Sequence, residues 1–113
     1  MSDLRELLMV ALGGGLGALL RYTLGHRYDD RWHHGTLAAN TLASLVLGAC
    51  AGWALDGSAL ALAGTGFCGG LSTYSSLMVQ TRDLGPRRGA VYLVTTIALG
   101  LAAAALGFAV AQP

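Results

Sequence analysis

Four apolar stretches, at about residues 4–25, 35–55, 58–81 and 89–110, alternate with short polar connections and use up nearly the whole chain. Each approaches the roughly 20 apolar residues that carry a helix across a bilayer. The pattern predicts an all-α membrane protein, one four-helix transmembrane domain over residues 1–113. The third stretch interrupts itself at residues 66–77, Gly-Phe-Cys-Gly-Gly-Leu-Ser-Thr-Tyr-Ser-Ser-Leu. Hydrocarbon cannot solvate open peptide groups, so paired glycines followed by Ser72, Thr73, Ser75 and Ser76 near mid-membrane must line something polar. Half-helices meeting there would turn N–H groups one way and carbonyls the other, as an ion site requires. The third helix is therefore expected to be broken near the middle of the membrane.

The other polar positions repeat at helical spacing. Thr36, Asn40, Ser44, Gly48 and Gly52 fall every four residues in the second stretch, and Tyr92, Thr96 and Gly100 do so in the fourth. Residues four apart share a face. Asn40 carries two donors that hydrocarbon leaves unpaired, so its amide either bonds a neighbouring helix or faces water and ions; the spacing supports both equally. Stripes of Ser, Thr and Gly also mark tight helix packing, but beside a broken third helix a polar pathway explains them better. Gly13 and Gly17 in the first stretch let another helix approach closely. Arg21, a turn from the end of that stretch, either anchors at the interface or turns inward, attracting an anion or ordering a channel mouth.

Composition narrows the class. Charged residues make up 12% and hydrophobic ones 54% of the chain, against about 25% charged in soluble domains. Cys50 and Cys68 both fall in apolar stretches, where a thiol acts as a small apolar side chain and implies no disulfide. Arg5 ahead of an apolar run resembles a signal peptide, yet Asp3, Glu6 and three further spans favour an uncleaved first helix. Asp29, Asp30, His33 and His34 share a loop without metal-ligand spacing, and Tyr28 and Trp32 suit the membrane interface. The chain has no lysine, hence no phosphate-binding loop, and no catalytic constellation, so an enzyme is not expected. Nothing in the pattern points to a nucleic-acid partner.

Arg27, Arg31, Arg82, Arg87 and Arg88 lie in the first and third connections, whereas Arg5 alone accompanies the termini and the second. That bias predicts connections one and three in the cytoplasm and both termini outside, in the cell membrane. Four thin helices cannot enclose a hydrated route and also pack their glycine faces, so a second subunit is expected.

These residues resemble the small fluoride channels of the Fluc, or CrcB, family. Residues 14–22, Gly-Gly-Leu-Gly-Ala-Leu-Leu-Arg-Tyr, resemble its first-helix signature. Residues 35–40, Gly-Thr-Leu-Ala-Ala-Asn, with Ser44 and Gly48, resemble the second, and residues 66–77 resemble the third. The resemblance implies passive fluoride export that protects the cytoplasm, through an antiparallel dimer with two narrow pores and a central structural Na+ on backbone carbonyls. By motif position Gly69 and Ser72 would supply those carbonyls and Asn40 the pore amide. Tyr74 and Leu77 match two phenylalanines whose ring edges touch the anion, with Ser75 beside them, and Tyr92 and Thr96 match a polar track. Ring edges and neutral donors can replace the water around a small anion.

The chain departs from that pattern at Leu77, which has no ring edge or donor, at Tyr74, which adds a hydroxyl, and at Gln80, where a glutamate is common. With the arginine bias, the altered phenylalanine pair at Tyr74 and Leu77 favours one half of a heterodimer, whose oppositely oriented partner supplies functional phenylalanines; a homodimer is the alternative. Two rival readings are a small multidrug exporter and a non-conducting assembly protein. Proton-coupled export needs a carboxylate within the membrane, and spans two to four offer none beyond Asp83 at the boundary. An assembly protein would use the glycine faces for packing alone.

Overall fold

The computed structural model describes residues 2–28 and 33–112, and every regular element among them is helical. Asp29, Asp30, Arg31 and Trp32, with the metal-ligand and interface readings attached to them, lie outside the described residues. Helix α1 spans Ser2–Tyr28, with Asp3 in its first turn and His26 and Arg27 in its last, charges that complement the helix dipole at both ends. Helix α2 spans His34–Gly52 and closes through a tight turn at Ala54, whose φ is 56°. Helix α3 covers residues 57–71, as an α-helical turn Gly57–Leu60, a π-helical stretch Ala61–Cys68 and a last turn Gly69–Leu71. Two extended residues follow, Ser72 (φ −78°, ψ 157°) and Thr73 (φ −150°, ψ 121°). Helix α4 spans Tyr74–Leu84, Gly85 turns the chain at φ 89°, and α5 spans Pro86–Ala111. Proline suits the opening position of α5 because an N–H there has no partner in any case.

Helices α1, α2 and α5 are each long and apolar enough to cross a membrane. At 1.5 Å per residue α3 reaches only roughly 22 Å and α4 roughly 16 Å, against a hydrocarbon core of about 30 Å. The third crossing is made by the two in series. The protein is thus an all-α, multi-pass membrane protein. The break falls inside the stretch read from the sequence but is narrower: Gly69 and Gly70 stay helical, and only Ser72 and Thr73 leave the helix.

Helix α1 lies against α3 and α2, α2 runs along α5, and α4 packs on α5. Small residues set these approaches. A Cβ on Gly17 would strike the Phe67 carbonyl and stand 2.8 Å from the Leu71 nitrogen, and one on Gly70 would strike the Gly14 carbonyl. The Gly13–Gly17 face is therefore used within the protomer, against α3, and is not left for a second subunit. Gly48 and Gly107 bring α2 and α5 together in the same way, against the backbones of Ala104 and Leu45.

The buried centre is small: Ala39, Ala43, Cys68 and Leu71, ringed by Leu20, Leu24, Phe67 and their neighbours. Cys50 and Cys68 are free thiols, both buried. Large apolar side chains point outward instead, including Leu7, Leu12 and Leu19 on α1 and Val94, Ile97 and Leu101 on α5. Water would not tolerate so much exposed apolar surface, whereas lipid or a second subunit would.

Replacing Gly17 with valine is expected to destabilise the protein by at least about 1–3 kcal/mol through overpacking. Gly15, which has nothing within 4 Å of its Cβ position, should accept alanine without loss. Unfolding titrations in mixed micelles compare the two, and equal losses would contradict the α1–α3 contact.

Candidate functional site

Interrupting α3 leaves the peptide groups around Thr73 without helical partners, and α2 supplies them. The Thr73 N–H donates to Asn40 Oδ1 at 2.7 Å, and Asn40 Nδ2 donates to the Thr73 carbonyl at 3.2 Å. Because a backbone N–H can only donate, this pair fixes which end of the amide is oxygen. Asn40 behaves as a stand-in peptide, engaging one donor and one acceptor at the gap. Each such group left open in hydrocarbon would cost several kcal/mol. The helix-binding role weighed for Asn40 is thus occupied by Thr73. One Nδ2 proton remains, and Asn40 lines the cleft beside it.

Both helix ends at the gap are capped. Arg21 Nε donates to the Gly70 carbonyl at 3.1 Å, placing a cation where the α3 dipole is negative. Arg21 has turned inward. At the other end the Thr73 hydroxyl accepts from Ser76 N–H at 3.2 Å, a side-chain cap on the first turn of α4. The Ser72 N–H bonds the Cys68 carbonyl at 2.9 Å. Since Thr73 N–H is diverted to Asn40, the Gly69 carbonyl loses the donor that a continuous helix would give it. Space beside Gly69 is open, with nothing within 4 Å of a Cβ position.

A second polar node lies one turn further along α4. Gln80 Nε2 donates to the Thr36 hydroxyl at 3.0 Å, and the Tyr92 hydroxyl donates to Gln80 Oε1 at 2.8 Å. One amide therefore ties α2, α4 and α5. The Thr96 hydroxyl donates back to the Tyr92 carbonyl at 2.9 Å.

Clefts surround this framework. Asn40, Tyr74, Leu77 and Thr96 share one of about 440 Å³ with Ser44, Ser72 and Thr73. Tyr74 is 75% exposed and Leu77 only 8%, so the ring stands at the rim while the leucine closes the floor. Ser75 lies in another cleft, of about 240 Å³, with Ser76 and Gln80. Arg21 lines a third, of about 250 Å³, with His26, Thr36, Thr73 and Gln80. Thr73 lines both the first and third clefts and so lies between them. Gly69 and Ser72 line a fourth, of about 350 Å³, which reaches Ser44 and Thr65. Tyr92 is 3% exposed and is turned to Gln80. The first cleft contains no charged side chain; its chemistry is that of amide, hydroxyl and peptide dipoles, able to hold a small ion without neutralising it.

The sequence did not announce which partners Gln80, Thr36 and Thr73 bond. Thr36 was visible as a member of the α2 stripe and Thr73 as a hydroxyl beside the glycines. Gln80 stood out only as a departure from the family pattern, which says nothing of what it bonds.

Residues 8–108 match the model of a family described as CrcB-like protein, Camphor Resistance (CrcB). A relative from Rhodococcus jostii (strain RHA1), named fluoride-specific ion channel FluC 2, is 47% identical over 108 residues, covering 89% of this chain and 94% of its own length. The protein of the same name from Halobacterium salinarum is 44% identical over 115 residues, covering 96% and 88%. The fluoride-specific ion channel FluC of Methanopyrus kandleri is 39% identical over 118 residues, covering 96% and 90%.

Proposed function

This chain belongs to the CrcB family, and from that premise we propose that it is a subunit of a fluoride-specific channel, passing fluoride out of the cytoplasm down its gradient and so limiting fluoride toxicity. It is a channel subunit and not an enzyme. The observation that carries the reading is the Asn40–Thr73 pairing, which holds a membrane helix open at a neutral cleft and keeps one amide proton for an ion. Neutral donors suit fluoride because a fixed cation would bind a small, hard anion too tightly to release it.

The conducting form is a dimer in the plasma membrane. The first cleft opens on the protomer surface, where Ile97 is 52% and Leu101 69% exposed, and a second, antiparallel subunit would roof it. A heterodimer is favoured: Leu77 brings no ring edge to the cleft, and a partner with the opposite arginine bias would bring its own. In the fluoride path Asn40 donates, the Tyr74 ring guards the rim, Leu77 shapes the floor, and Ser75 and Arg21 serve the flanking clefts. Tyr92 and Thr96 complete the wall. A structural Na+ fits Gly69 and Ser72, whose carbonyls are neutral hard donors; Gly69 has lost its helical donor, and symmetry or pseudosymmetry would double the set. The termini face outward, since Arg82, Arg87 and Arg88 cluster at the end opposite to them.

In liposomes holding this chain, alone or with a family member of opposite arginine bias, fluoride should leave faster than from empty vesicles while chloride stays. Asn40→Leu should slow that efflux at least about tenfold, because it removes a hydrogen bond to the anion and also leaves the Thr73 peptide groups without their partner. If neither preparation leaks fluoride above background, the reading fails. Exchanging sodium for N-methylglucamine at equal ionic strength should lower the thermal unfolding midpoint in detergent; an unchanged midpoint removes the sodium site. A reporter fused after Pro113 should signal from outside the cytoplasm, and a cytoplasmic signal contradicts the orientation.

A further inference from the structure

Counting protons around the first cleft separates hydroxyls that can donate to an anion from those that cannot. A hydroxyl has one proton. Tyr92 gives its proton to Gln80, and Thr96 gives its own to the Tyr92 carbonyl. The polar stripe of α5 is thereby closed as a source of donors, and its next position, Gly100, has no side chain. On the facing helix, Ser44 makes no hydrogen bond among the described residues and lines the cleft beside Thr96 and Gly100. Its oxygen lies 3.3 Å from where a Cβ on Gly100 would stand, so the bare glycine leaves this hydroxyl room to reach the cleft.

Ser44 follows Asn40 by four residues, which puts the two on one face of α2 about 6 Å apart along its axis. Asn40 keeps one unengaged Nδ2 proton, and Ser44 keeps its hydroxyl proton. Ser44 also lines the fourth cleft, with Ser72 and Thr65, and so stands between the two clefts. From this geometry we infer that Ser44 is the next fluoride donor after Asn40: the path for the anion is a donor ladder on α2, with α5 contributing shape and the space at Gly100. The inference rests on the fluoride-channel reading and names a donor which that reading lacked.

Ser44→Ala removes one oxygen from a side chain that holds no protein partner, so fold and assembly should be retained. Fluoride efflux from liposomes should fall roughly tenfold, the loss of a hydrogen bond to a charged group, with detergent elution and unfolding midpoint unchanged. Thr96→Val should cost less flux than Ser44→Ala, because the Thr96 proton is already engaged. The double variant Ser44→Ala with Gly100→Ser returns a hydroxyl to the same space from α5 and should recover most of the efflux. A parent protein that does not leak fluoride defeats the channel reading itself, and the ladder with it. A parent that conducts while Ser44→Ala conducts equally well overturns the Ser44 assignment alone, as does a loss that the relocated hydroxyl leaves uncorrected.

Discussion

Two peptide groups that lipid will not solvate govern this structure. Ser72 and Thr73 are extended within an apolar crossing, and an extended residue there must find partners outside its own helix. Asn40 meets the N–H and the carbonyl of Thr73 together. A shorter polar side chain such as serine has no separate donor and acceptor atoms to engage both, and aspartate would answer only the N–H.

Other features follow from keeping that gap open. Arg21 of α1, which caps the last turn of α3, and the Thr73 cap on the first turn of α4 satisfy groups that the break exposes. The Gln80 amide between Thr36 and Tyr92 fastens α4 to α2 and α5, so the second half of the crossing cannot swing away from the first. Close packing through Gly17 and Gly70 brings α1 near enough for Arg21 to reach the Gly70 carbonyl. Glycine packing and the polar gap are thus parts of one construction, because the small residues set the distance over which the polar side chains work.

Much of this could be read from the chain. Apolar periodicity fixed the crossings because helix length in a bilayer is limited by thickness, and hydroxyls beside glycines marked the interrupted one. The position of the gap was less legible. Glycine pairs suggest a break, yet Gly69 and Gly70 remain helical; Gly70 is small because Gly14 lies against it, a reason that belongs to another helix. Asn40 stood out from its spacing, but its partner is 33 residues away, and no local pattern announces such a pair. Gln80 was missed for the same reason, since its significance lies in joining residues 36 and 92. Which hydroxyls still have a proton to give depends on their bonds and not on their identity, so Thr96 and Ser44 looked alike until those bonds were known.

Amide hydrogen exchange across residues 69–77 in detergent micelles tests most directly whether Asn40 holds the break. The Thr73 amide should be protected by Asn40, while the amides of Tyr74 and Ser75, at the open start of α4, exchange rapidly. Uniform protection through the whole stretch would mean an unbroken helix, and rapid exchange at Thr73 would mean that Asn40 does not hold the gap; either result contradicts the account.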